Sequence, residues 1–129
     1  MATLTAATLA RDSSVTFSPT AWTTAGGTKT FPQPRDDTFL IYVDMYATGA
    51  AHGIFTVAAG TTTSAWRRGI GALTVTLTST GDTDYHRAVI GPLESSRFMQ
   101  STGNISVAIT TSGSPTGVIG VVKMPYSFG

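Results

Sequence analysis

From Leu73 to Thr78 the chain reads Leu-Thr-Val-Thr-Leu-Thr, a strict alternation of an apolar residue with a threonine. Successive side chains of a strand point to opposite faces, so this spacing builds one buried face and one hydroxyl-rich face. Ile105-Ser106-Val107-Ala108-Ile109 alternates in the same way. A second kind of signal runs from Asp36 to Tyr46. There Phe39-Leu40-Ile41-Tyr42-Val43 is unbroken, with Asp36-Asp37 before it and Asp44 at its end. A run this short, rich in branched and aromatic residues, fits a central strand covered on both faces. The carboxylates read as exposed strand ends rather than as a cavity.

Turn residues punctuate the rest. Val15-Thr16-Phe17 reads as a short strand stopped by Ser18-Pro19, and residues 19–35 read as a loop interrupted by Gly26-Gly27, Pro32 and Pro34. Trp22 and Phe31 lie in that loop, and rings of this size are expected to tuck onto the sandwich or a partner. Residues 47–53 read as a small-residue turn. Ile54 to Ala58 then forms a strand that pairs antiparallel with the central one. Tyr85 to Ile90 is a strand ended by Gly91-Pro92, Ser96 to Met99 a short edge piece, and Val118 to Met124 a last buried strand broken by Gly120. No helical period appears. About eight short strands with turns between them predict an all-β, single-domain antiparallel β-sandwich, jelly-roll-like, with a Greek-key barrel as the second choice. Residues 1–13 read as an N-terminal arm or edge strand.

Composition narrows the function. At 129 residues the chain is one domain, 1–129, able to bury about two-thirds of its unfolded surface. With no cysteine, disulfides and thiolate metal sites are excluded. Net charge is +1 and charged residues are 12%, about half the usual share. Eight scattered Lys and Arg form no basic face, which argues against nucleic acid as partner. No apolar run is long enough to span a membrane, and the N-terminus lacks the pattern of a secretory signal. Synthesis in the cytoplasm is therefore expected. A thinly charged chain suits an assembly that covers much of its surface, because solubility as a free protein usually rests on charge.

No motif spells out chemistry. His52 and His86 lack carboxylates at ligand spacing. Asp82-Thr83-Asp84 lacks the later ligands of a calcium loop and reads as a solvated turn. Asp36-Asp37 and Asp44 could supply a carboxylate pair for hydrolysis, but residues one apart on a strand point to opposite faces and no pocket-forming feature accompanies them, which disfavours catalysis. There is no Gly-x-Ser-x-Gly elbow, and Gly69-Ile70-Gly71 lacks the third glycine and the helix of a dinucleotide site. Neither enzyme activity, a cofactor nor a metal is expected. The residues singled out as partner contacts are Trp22, Trp66, Arg67, Arg68, Tyr126 and Phe128, since interfaces favour Trp, Tyr and Arg as anchors.

Several pieces stand in a familiar order: Leu9-Ala10-Arg11, Ala25-Gly26-Gly27, Thr30-Phe31-Pro32, the Phe39–Val43 strand, Thr48-Gly49-Ala50 and Phe55-Thr56-Val57. They continue with Val89-Ile90-Gly91-Pro92-Leu93, Arg97-Phe98, Gly103-Asn104-Ile105-Ser106-Val107 and the run from Gly117 to Val122. In this pattern the chain resembles the small β-sandwich decoration, or cement, proteins of tailed bacteriophage heads. It departs from their usual form at residues 61–71, where Trp66-Arg67-Arg68 is more aromatic and basic. The resemblance implies a non-enzymatic protein on the capsid exterior that binds the major capsid protein and stabilises the head. It also implies a homo-oligomer, for which a trimer is favoured. An alternative from the exposed-looking rings Trp22, Trp66 and Tyr85 is a carbohydrate- or receptor-binding sandwich of a virion tail.

Overall fold

The computed structural model describes residues 2–4, 7–8, 19–32, 38–61, 71–81 and 84–124. They form ten strands: β1 Ala2–Thr3, β2 Ala7–Thr8, β3 Thr20–Trp22, β4 Gly27–Pro32, β5 Thr38–Ala47, β6 Ala50–Val57, β7 Leu73–Thr80, β8 Asp84–Glu94, β9 Asn104–Ser112 and β10 Thr116–Met124. One helical turn, α1, spans Ser95–Phe98.

Strands β3 to β10 make two antiparallel four-stranded sheets, ordered β3-β10-β5-β8 and β4-β9-β6-β7. Six of the seven connections between these eight strands pass from one sheet to the other, and β6 to β7 stays within its sheet. This is jelly-roll order. The N-terminal strands are additions that run parallel to their neighbours. β1 lies along β4 and β2 along β10, so the arm borders first one sheet and then the other. Leu4, between them, donates its N–H to Thr30 O at 2.7 Å and is buried. Such additions blunt edges that would otherwise template further pairing.

Alternation supplies the core. β5 turns Phe39, Ile41, Val43 and Met45 inward, all fully buried, against Phe31, Phe55, Val57, Ile105 and Val107 of the other sheet. Rings meet edge-on across the sandwich: Phe31 with Phe39 at 5.3 Å, Trp22 with Phe55 at 5.5 Å, and Phe98 of α1 with Phe39 at 6.4 Å. Each such pair contributes about 0.5–1.5 kcal/mol beyond the area it buries.

Several expectations are corrected. The 19–35 region holds two strands, β3 and β4, on either side of a tight turn at Thr24-Ala25. β5 is central in its sheet, but among the described residues only its inward face is fully buried, since Leu40, Tyr42 and Tyr46 remain partly exposed. β5 and β6 are not paired. They lie in opposite sheets, where Gly53 leaves room for Met45: a Cβ on Gly53 would sit 3.2 Å from the Met45 sulfur. β8 continues through Gly91-Pro92 as far as Glu94. A register shift between Phe39 and Ile41 and a positive φ at Gly91 absorb the irregularity. Ser96–Met99 is the body of α1 and its C-cap rather than an edge piece. β10 runs unbroken through Gly120, which pairs with Tyr42. The expected strand at residues 15–17 lies outside the described residues.

Candidate functional site

The two outward faces of the sandwich differ in chemistry. On β4-β9-β6-β7 the outward positions carry Thr28 and Thr30, Ser106 and Thr110, Thr56, and the full row Thr74, Thr76, Thr78 and Thr80. Hydroxyls pair along this face: Thr56 Oγ1 lies 3.3 Å from Thr74 Oγ1, and His52 Nδ1 lies 3.4 Å from Thr78 Oγ1. Among the described residues it holds no Lys, Arg, Asp or Glu.

The outward face of β3-β10-β5-β8 carries rings and charge. Register places Tyr46 directly opposite Tyr85, and Asp44 directly opposite Arg87. The Tyr46 and Tyr85 rings stand 5.1 Å apart, tilted by 44°. The Arg87 guanidinium lies 5.1 Å from the Tyr85 ring centre. Tyr85 is 51% exposed and Val89 63%, the large hydrophobic side chains most open to solvent among the described residues. Asp44, by contrast, is only 9% exposed.

Asp44 is held by the backbone of β10. The Val118 N–H donates to Asp44 Oδ1 at 2.9 Å, and the Tyr42 hydroxyl sits 3.4 Å from Oδ2. The Val118 carbonyl accepts from the Trp22 indole N–H at 3.2 Å. One residue of β10 is thus tied by side chains from both neighbouring strands. Gly117 makes this possible: a Cβ there would collide with the Asp44 carbonyl oxygen and lie 2.8 Å from the Trp22 ring. The result is a cleft of about 390 Å³ lined by Tyr46, Tyr85, Asp44, Thr116, Thr23 and the edge of Trp22 among others.

Two further clefts lie among the described residues. One of about 210 Å³ lies at the end of the sandwich, between the Thr48-Gly49 and Gly113-Ser114 turns. The other, about 350 Å³, is lined by Thr30, Gln100, Asn104 and Ser106 among others. Gln100 there is engaged in structure, donating to Ala59 O at 2.9 Å and Phe98 O at 3.2 Å and accepting from Thr61.

The residues singled out from sequence fare differently. Trp22 is 1% exposed, so the expectation of an exposed contact ring there is corrected: it is a core residue whose indole N–H braces β10. Trp66, Arg67, Arg68, Tyr126 and Phe128 lie outside the described residues, as do Asp36, Asp37, Asp82 and Thr83. Tyr85, named among the exposed-looking rings, is exposed. Sequence reasoning misses Tyr42, Asp44, Tyr46 and Arg87 as site residues. The signal for them is present, since Leu40-Tyr42-Asp44-Tyr46 and Tyr85-Arg87-Val89 each follow the period of a strand face. The reading of Asp44 as a mere strand end is corrected too, because it lines a cleft.

Among the described residues no group of three or more His, Cys, Asp or Glu is placed to hold a metal ion, and no helix is long and apolar enough to cross a membrane. No protein-family model, no curated protein and no solved structure matches the chain.

Proposed function

We propose that this chain is a virion structural protein, a decoration protein that binds the outer face of a major capsid lattice and stabilises the head without chemistry of its own. The observation that carries this reading is the outward face of β4-β9-β6-β7, broad, hydroxyl-rich and without Lys, Arg, Asp or Glu among its described residues. Burying a charge is costly unless it is paired, whereas a hydroxyl needs only one new hydrogen bond. A face of this kind can be pressed against another protein with little desolvation cost. Each contact is weak, but a lattice and a homo-oligomer repeat it, so avidity supplies the affinity. Binding only the mature shell stabilises that shell by mass action.

The test is co-sedimentation of the purified chain with expanded heads lacking it. Saturable binding is expected. The double substitution Thr76→Lys and Thr110→Lys places charge on both sides of Ile54 in the middle of the face. It is expected to weaken binding at least about tenfold while leaving the melting temperature near that of the parent. A chain that ignores heads and associates with tails instead overturns the reading.

A further inference from the structure

We propose that the cleft beside Tyr46 and Tyr85 is a binding site for a neutral saccharide. The site is independent of the shell-binding reading, because it lies on the opposite face of the sandwich.

The first support is the ring pair. Tyr46 and Tyr85 present aromatic surface at one wall of a cleft of about 390 Å³, a size in the range of small-molecule sites. The C–H face of a pyranose packs on such surface and removes it from water. The second is Asp44. Its carboxylate is nearly buried and is oriented by the Val118 N–H at 2.9 Å, so it is a fixed acceptor beside the rings. Sugar hydroxyls are donors suited to a charged acceptor of this kind. The third is charge balance. Arg87 stands opposite Asp44 in register, with its guanidinium 5.1 Å from the centre of the Tyr85 ring that lines the cleft. An anionic ligand would be repelled by the Asp44 carboxylate in the cleft, whereas a neutral polyol can donate its hydroxyls to it.

A peptide strand is the weaker occupant. The cleft opens on the face of the sheet, across the paired β10 and β5, whereas strand addition takes place along an edge. The groups also stand on strands rather than loops, which fixes their spacing.

Saturation-transfer NMR with the methyl glycosides of glucose, mannose and galactose, and with their disaccharides, tests the site. Saturable transfer to the ring protons of at least one sugar is expected. Tyr85→Ala and Asp44→Asn should each weaken it at least about tenfold. Asp44→Asn retains an oxygen for the Val118 N–H, and Tyr85 is exposed, so Tyr85→Ala decides the matter should Asp44→Asn melt early. Thr102→Ala, on an exposed turn outside the cleft, should leave transfer unchanged. No transfer from any sugar, or transfer undiminished in Tyr85→Ala, overturns the proposal. So does loss of head binding in Tyr85→Ala without sugar binding in the parent, which would assign this face to a protein partner. Head binding that fails while sugar binding holds overturns the shell reading alone.

Discussion

The two outer faces of the sandwich are set by one rule, the alternation of side chains along a strand, yet they are built differently. Under the hydroxyl face the pairings of β9 with β4, β9 with β6, and β6 with β7 keep an unbroken register. Under the aromatic face the ladder is irregular in two places. β8 slips against β5 near Gly91, and β10 gives the Val118 N–H to a side chain. A regular sheet repeats one chemistry over its surface. The slip lies at the far end of β5, but the side-chain bond at Val118 gathers different groups at the cleft, and departures of this kind are where binding sites commonly arise.

The sharpest way to break this comparison is to remove the ring beneath the irregular face. Trp22 packs edge-on against Phe55 and also donates to the Val118 carbonyl. Trp22→Ala is expected to lower stability by about 3–5 kcal/mol, the range for emptying a buried aromatic site. Urea denaturation followed by far-ultraviolet circular dichroism measures it. A loss no larger than that of an exposed threonine on the other face would show that Trp22 does not support the site.

Two strands of the regular half are the easiest to read from sequence. Leu73–Thr78 and Ile105–Ile109 announce β7 and β9, because each buries one face only and alternates accordingly. Other elements of both sheets are harder for identifiable reasons. β3 has three residues, too few to show which way Trp22 points. Gly26-Gly27 and Pro32 look like loop residues, but Gly27 and Pro32 are the end residues of β4, and β1 borders only its middle, at Lys29 and Thr30, so a proline without an N–H is tolerated at the end. Gly91-Pro92 reads as a stop and is instead a kink within β8. The partner of β6 is not legible from a two-residue connection, because face-to-face packing of Met45 over Gly53 decides it. The cleft itself is hidden by the unbroken run Phe39–Val43, which masks the alternation of Tyr42, Asp44 and Tyr46 with the core residues between them.

A smaller effect isolates the brace on β10. Asp44→Ala leaves the Val118 N–H without its 2.9 Å acceptor in a part-buried place. The expected cost is about 1–3 kcal/mol, that of stranding a buried donor. Asp44→Asn should cost clearly less, since its amide oxygen can take the same bond. Equal losses in the two variants, read from denaturant midpoints, would mean that the carboxylate's charge matters to the fold and not only its position.

The smallest effect belongs to the hydroxyl face and sharpens the contrast from the other side. Thr56 and Thr74 sit directly opposite each other, with their hydroxyl oxygens 3.3 Å apart. Thr56→Ser, Thr74→Ser and the double variant keep the hydroxyls, whereas the corresponding valine variants keep the shape and remove them. Cross-strand pairs of this kind are coupled by about 0.2–1 kcal/mol. A double-mutant cycle on the valine set should give a coupling in that range, and the serine set a smaller one. A larger valine coupling would mean that the hydroxyls are a structural network like the brace at Val118. The two faces would then differ in composition alone, and the threonine rows would be less free to exchange their hydrogen bonds for those of a protein partner.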